Sequence, residues 1–478
     1  MASRSIRRIF ILGMSVLATM LMSCYLHKVD KDVSLLVEHS DTYSLTVEGI
    51  EPQGRWWEAF NDKFLDSLVA EALSDSLTLN QARARIEQAI AADRQAASFL
   101  YPALDAEASG REEWEGENKP EDSYSTGLAL SWEIDLWGRL SSAKKAAAYE
   151  ILASQDELEA AAILLTSQVA DTYFQIIEQN LQLALLERQV AAGDTLLELI
   201  ELRFGYGEAS IVDVFQQRQQ LASTHTQVPV AKSRLRTLVN RLHIQLGRSP
   251  SGKAFSLAGN FPELPGLPAA GVPVDLLTKR PDLRRIYNQL LAIDYRVAEA
   301  VTDRFPKIGL KGGAGFTDGF STEDRLLSLL LEAVAPILDW DRRSSEVRKR
   351  ESMFKEELAR YSHAYLTAIE EVENALWQEH HQWDLLKALD NQIRIARSNL
   401  TETRSRYSQG LTDYLPVLTA LQSLQQLERD IISRQRELIS IRILLFRAIG
   451  GSRLTDEIYQ AAASDENTEA KISEGTVK

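Results

Sequence analysis

The chain has 478 residues, with 68 acidic against 53 basic side chains, a formal net charge of −15 and one cysteine. That balance excludes an internal disulfide framework and argues against nucleic acid as a partner, because phosphates call for a basic stripe. Beyond Cys24 no run of about 18 apolar residues occurs, so no transmembrane helix is expected and any membrane contact beyond an anchor must be made by strands.

Residues 1–23 read as a signal peptide. Arg4, Arg7 and Arg8 form a basic start, Ile9 to Leu21 carries no charge, and small Ser23 precedes Cys24. Leu21, Met22, Ser23 and Cys24 resemble a bacterial lipobox, after which the cysteine becomes the first mature residue and carries an N-acyl diacylglycerol group. Tyr25, which is not Asp, points the anchor to the outer membrane. Residues 24–55 form the lipid-anchored N-terminal segment and show no apolar period.

The rest of the chain repeats itself. At an offset of 203, Trp137 matches Trp340, Arg139 matches Arg342, Arg203 matches Arg406, Gly207 matches Gly410 and Gly247 matches Gly450. The repeats span 56–249 and 276–452, joined by a Pro/Gly linker at 250–275 and followed by a polar tail at 453–478. Each reads as helix, hairpin, long helix, turn, helix. In the first, strands are expected near 103–110 and 126–135. There Leu128, Leu130, Trp132 and Ile134 face one way and Gly127, Ala129, Ser131 and Glu133 the other. In the second, strands are expected near 307–316 and 330–338. Helices follow at 139–204 and 209–246, then at 341–408 and 411–449. Pro229 should kink or break its helix. Val169, Ile176, Leu183, Val190 and Leu197 recur every seven residues, a coiled-coil period.

Strands of this length suit a bilayer crossing, and a half-polar strand in lipid must belong to a closed barrel around water. One chain supplies four strands, whereas single-chain barrels need at least about eight. Several copies must therefore share one wall.

The motifs that fix a resemblance are "DLWGR" at 135–139, "VPVDLLTKRPDL" at 272–283, "RFPKI" at 304–308 and "RYSQGLTDYLPVLTALQSL" at 406–424, with "NQARARIEQA" at 80–89. With them the chain resembles the TolC-like outer-membrane efflux channels, in the NodT-type lipoprotein branch, over nearly its whole mature length. The resemblance implies a mainly α fold with a small β part: a periplasmic α-barrel of long antiparallel coiled-coil helices, plus four strands per chain in a trimeric transmembrane β-barrel. It implies a homotrimer in the outer membrane that exports drugs and toxic compounds. These would be delivered by a periplasmic adaptor and an inner-membrane pump of the resistance-nodulation-division type. The adaptor-contacting tips would be Arg203, Gly207 and Ser210 on one hairpin and Arg406, Gly410 and Asp413 on the other. Periplasmic gate candidates are Leu415 and Thr419; the family often has an acid at the latter position. Asp413 and Asp213 could supply charge nearby. Trp137 and Trp340 are expected as membrane-interface aromatics. Alternatives are a protein-secretion channel of the same build, or a lipid-anchored coiled-coil scaffold without a pore.

Three other patterns carry little. "GRSPSGKA" at 247–254 mimics a phosphate loop, but a helix precedes it and Ala254 stands where Ser or Thr should close it. His380 and His381 are adjacent on a helix, where neighbours diverge by about 100°, so they are expected to be solvated and not a chelating pair. Glu370, Glu371 and Glu373 read as a helix face. No nucleophile, base and orienting group come together, so no enzyme, metal or soluble cofactor is expected.

Overall fold

The computed structural model describes residues 27–38, 41–45, 49, 55–113, 121–250, 259–317 and 325–451. The signal peptide, Cys24, Trp114, Phe320 and the polar tail lie outside the described residues.

A single 3-10 turn, Trp56–Phe60, opens the first repeat. Helix α1 (Lys63–Asp75) follows, capped by Asp62, whose carboxylate accepts from the Phe64 and Leu65 amides at 2.9 and 3.2 Å. Then come α2 (Leu77–Ser98), β1 (Ala103–Glu113), β2 (Glu121–Ile134), α3 (Arg139–Gly205) and α4 (Ile211–Gln245). The second repeat has α5 (Leu276–Lys279), α6 (Pro281–Thr302), β3 (Lys307–Thr317), β4 (Arg325–Val334), α7 (Arg342–Ser408) and α8 (Leu415–Ala448). Duplication shows in the long helices, each of 67 residues, or roughly 100 Å at 1.5 Å per residue. Asp135 starts the first of them by accepting from the Leu140 and Ser141 amides at 2.9 and 2.8 Å.

The four strands form one antiparallel sheet in the order β1-β2-β3-β4. Its two faces differ as the alternation requires. Leu104, Leu130, Gly312 and Leu329 stand in register on one face; Ala103, Ser131, Lys311 and Leu330 stand on the other. The apolar face continues through Leu128, Trp132, Leu310, Leu327 and Leu331. The opposite face carries Asp105, Glu107, Glu133 and a cross-strand ion pair, Lys311 Nζ to Glu332 at 2.6 Å. Gly127 and Gly315 oppose each other where β2 and β3 approach closely. A Cβ built on Gly127 would stand 2.8 Å from the Ala314 carbonyl oxygen.

Several boundaries differ from the sequence expectation. β4 runs over 325–334, not 330–338. A leucine-rich run reads equally well in either phase, and pairing with β3 decides it. β1 and β2 extend past 110 and begin before 126, because ladder hydrogen bonds carry the polar hairpin arms further than their side chains suggest. Pro229 lies inside an unbroken α4. α8 begins at Leu415, with Pro416 in its first turn, where a missing amide costs nothing, and 411–414 belongs to the turn.

The described chain separates into two compact units. One holds the described residues up to Val37 with Arg85–Gln155 and Arg285–Ser362. It contains the sheet, and its N-terminal segment is pinned by polar contacts: His27 to Asp294 at 2.6 Å, Tyr287 Oη to the Lys31 carbonyl at 2.6 Å, and the Leu36 amide to Ser362 Oγ at 3.1 Å. The other holds Glu38–Ala84, Asp156–Arg284 and the residues from His363. Its core is aromatic: Trp56 stacks on Phe446 at 5.6 Å and Phe60 packs on Phe174 at 5.1 Å. Buried cations hold it together. Arg280 reaches Asp282 at 2.7 Å, Glu371 at 2.7 Å and the Ala448 carbonyl at 3.1 Å. Arg284 pairs with Asp156 and Glu159, and Arg442 with Glu379. The heptad stripe holds at Val169 and Ile176, which are fully buried. Nearer the tip the buried set is Gln189, Gly193, Leu196 and Ile200, again at spacings of four and three. Val190 and Leu197 become its half-buried rim.

Candidate functional site: the hairpin tips

Each long helix ends in the same backbone device. After α3 the Glu208 amide donates to the Arg203 carbonyl at 2.9 Å and the Gly207 amide to Phe204 at 2.9 Å, with Gly207 at φ +74°. After α7 the Leu411 amide donates to Arg406 at 2.9 Å and the Gly410 amide to Tyr407 at 3.0 Å, with Gly410 at φ +72°. These paired bonds around a left-handed residue satisfy carbonyls that a helix end leaves open. Neither glycine has any neighbour within 4 Å of a built Cβ, so what each position demands is a backbone conformation and not space. The return helices start differently. Ser210 and Asp213 make a reciprocal capping box on α4. Tyr414 precedes α8 without any side-chain cap.

The expected tip residues separate into two groups. Arg203 is a clamp between the hairpins: its side chain is 16% exposed, its guanidinium lies 4.9 Å over the Tyr407 ring, and Nη1 donates to the Ser408 carbonyl at 3.1 Å. Arg406, its repeat mate, is 63% exposed and holds only Glu402, at 2.8 Å. Asp213 accepts from the Ser210 amide and so is committed to its cap. Asp413, Leu415 and Thr419 are exposed, and the Thr419 hydroxyl donates back to the Leu415 carbonyl at 3.0 Å. Arg203, Gly207, Ser210, Asp213, Gly410, Asp413 and Leu415 line an open groove of about 500 Å³, while Arg406 and Thr419 are not part of its lining.

Beneath the groove lies a tie that the sequence reading missed. Tyr414 is fully buried and its hydroxyl donates to Gln217 Oε1 at 2.6 Å; Gln217 Nε2 donates to the Gly193 carbonyl at 2.8 Å. The Tyr407 and Tyr414 rings meet at 5.5 Å. Burial, with the Asp213 charge adding to it against Arg203, raises the Tyr407 phenol above its ordinary pKa. Both tyrosines are therefore neutral phenols, and of the two it is the Tyr414 hydroxyl that donates, to Gln217. Their seven-residue separation across a Gly turn was the available signal. The arrangement joins two hairpins through the Arg203–Tyr407 contact, the Arg203 bond to the Ser408 carbonyl and the buried Tyr414–Gln217 bond, with Gln220 bonding to Gln425 and Gln422 nearby. It holds no acid–base pair able to run a reaction.

The two tryptophans are not equivalent. Trp137 is half-buried, its Nε1 donates to the Pro306 carbonyl at 2.7 Å and its ring packs on Phe305 at 5.3 Å. Trp340 is 87% exposed, on a left-handed backbone at φ +54°. Gly247 and Gly450 end α4 and α8 as left-handed caps, at φ +71° and +97°. The apparent phosphate loop thus begins with a helix cap, and its residues 251–254 lie outside the described ones.

A family model for outer membrane efflux proteins matches residues 68–248 and 272–451, one segment per repeat. The pyoverdine export outer membrane protein OpmQ of Pseudomonas putida is 28% identical over 431 residues, which are 85% of this chain and 89% of that protein. The solvent efflux pump outer membrane protein SrpC of Pseudomonas putida is 28% identical, over 82% of this chain and 86% of its own length. The solved outer-membrane channel OprN superposes with a TM-score of 0.81 at 25% identity, over 88% of this chain and 98% of that one.

Proposed function

The chain belongs to the outer membrane efflux protein family, and on that premise we propose that it is the exit duct of a tripartite pump: a lipid-anchored homotrimer that takes small molecules from an inner-membrane transporter of the resistance-nodulation-division class through a periplasmic adaptor. One observation carries this reading. The four-stranded sheet is apolar on one face and carries its charges on the other, and among the described residues neither β1 nor β4 has a second partner strand. In lipid such edges must be paired, and pairing between copies closes a wall with the charged face toward water. Three copies supply twelve strands. No helix among the described residues is long and apolar enough to cross a membrane, which leaves the sheet to do so.

The tips are the docking surface in this reading. Arg406, Asp413 and Leu415 are exposed side chains on a backbone held rigid by the Gly410 turn, so an adaptor meets a fixed shape. Arg203 serves from below by joining the hairpins. The relatives named above handle a siderophore and solvents, which supports small molecules as cargo, and the acidic sheet face favours cations. Cys24 carries the diacylglycerol anchor.

The test is a deletion strain complemented with the wild-type chain or Arg406→Glu and challenged with a panel of dyes and solvents. Wild type restores resistance; the charge reversal loses it while the trimer still assembles. A detergent-purified protein that stays monomeric and conducts no current in planar bilayers would overturn the duct.

A further inference from the structure

The middle of α7 carries a cluster that the export reading does not use. His380, His381 and Asp384 are exposed, and one ligand atom from each lies within 4.8 Å of the others. His380 Nε2 is 3.9 Å from Asp384 Oδ2 across one helical turn. The imidazole rings of His380 and His381 are 5.3 Å apart. Adjacent helical positions splay their Cβ atoms, and the sequence expectation of two separate histidines rests on that. Trp377, one turn earlier, changes the outcome. Its indole stacks on His381 at 5.5 Å with the planes at 24°, and meets His380 edge-on at 6.2 Å. The shared aromatic wall holds both rings on one side of the helix.

We propose that His380, His381 and Asp384 bind a divalent transition-metal ion of the Cu²⁺, Ni²⁺, Zn²⁺ group. The donor set is two imidazoles and one carboxylate, suited to borderline ions and poorly suited to Mg²⁺ or Ca²⁺, which prefer all-oxygen shells. Ligands at ~2.1 Å from an ion stand roughly 3–4 Å from each other, so the exposed side chains close by a modest rotation. Lys387 Nζ, 3.7 Å from Asp384 Oδ1, must swing aside, and it stands in solvent where it can. Three protein ligands leave positions for water. Of the three ions Cu²⁺ binds most tightly, by the general affinity order of nitrogen and oxygen sites. Trp377 also donates to Ser44 Oγ at 2.9 Å, so the ring that packs on the ligands also holds the N-terminal segment.

The experiment uses the full-length protein, purified without a histidine tag, stripped with chelator and titrated with CuCl₂, NiCl₂ and MgCl₂ by calorimetry. Tryptophan emission is followed in parallel. Cu²⁺ should bind saturably at one site per chain and quench emission, Ni²⁺ more weakly, and Mg²⁺ not at all. His380→Gln combined with His381→Gln should abolish the site, and Asp384→Asn should weaken it by at least roughly tenfold, since even outer partners of a metal ligand are worth ~10–100-fold. Trp377→Phe should lose most of the quench and keep the calorimetric binding. All four positions are exposed, so folding is not at stake. No saturable Cu²⁺ binding by the wild type, or equal binding by the double variant, overturns the site.

Discussion

Tyr414→Phe isolates the tie beneath the tips. The substitution keeps the ring packed on Tyr407 and removes one hydroxyl. That hydroxyl is the donor, at 2.6 Å, to Gln217 Oε1, and Gln217 is itself buried at 1% exposure. An acceptor left dry in such a place costs about 1–3 kcal/mol. At about 1.4 kcal/mol per decade, the opening equilibrium of the tip shifts by about 5-fold to about 150-fold. The readout is amide hydrogen exchange under conditions where opening precedes chemistry. Amides in 193–217 and 407–424 should lose protection by that factor, while the sheet and the aromatic core around Trp56 keep theirs. Thr419→Ala, which removes an exposed hydroxyl from the same helix, should leave the tip unchanged. Wild-type protection of the tip in the Tyr414→Phe protein would show that the hydrogen-bond chain does not hold the hairpins together.

Gly315→Val should prevent barrel assembly, because a Cβ there would lie 2.9 Å from Gly127 Cα on the neighbouring strand; loss of the heat-labile trimer band on semi-native gels reads it. Arg280→Ala leaves the partly exposed Asp282 and Glu371 carboxylates without their cation and the Ala448 carbonyl without its donor, and should cost about 1–3 kcal/mol, seen as a fall in Tm. His27 has a raised pKa, because its hydrogen bond to Asp294 at 2.6 Å outweighs the opposing effect of burial. A raised pKa means stability present in full below the unfolded value of about 6.5 and lost as pH rises through the folded one. Limited proteolysis of the N-terminal segment should therefore speed up above that point in the wild type, and His27→Gln should flatten the dependence.

What could be read from the sequence was what repeats or alternates. Gly207 and Gly410 are left-handed turns because helix ends need them, and their spacing of 203 marks both as equivalent tips. Strand faces followed from period two. What the sequence left open was decided by partners distant in the chain. Arg203 and Arg406 are the same residue at equivalent positions, yet Tyr407 and the Ser408 carbonyl bury the first and nothing covers the second. The β4 register depends on β3, since a run of leucines has no phase of its own. Trp137 is drawn in by the Pro306 carbonyl, 169 positions away. Pro229 stays within its helix, where the preceding residues already form a regular coil. The heptad stripe moved by one position near the tip because Gly193 lets α4 come close: a Cβ there would lie 3.0 Å from Leu221.

The open edges of the sheet bear on how the molecule is made. Leu327, Leu329 and Leu331 on β4 stand well exposed in a single subunit, beside a row of backbone groups with no ladder to join. A lone subunit in the periplasm is thus an adhesive intermediate, prone to join whatever strand it meets first. Its lifetime must be short relative to encounter with its own kind, so overproduction should favour misassembly over yield. Escort by holding factors and early tethering to the target leaflet would both shorten that hazardous interval.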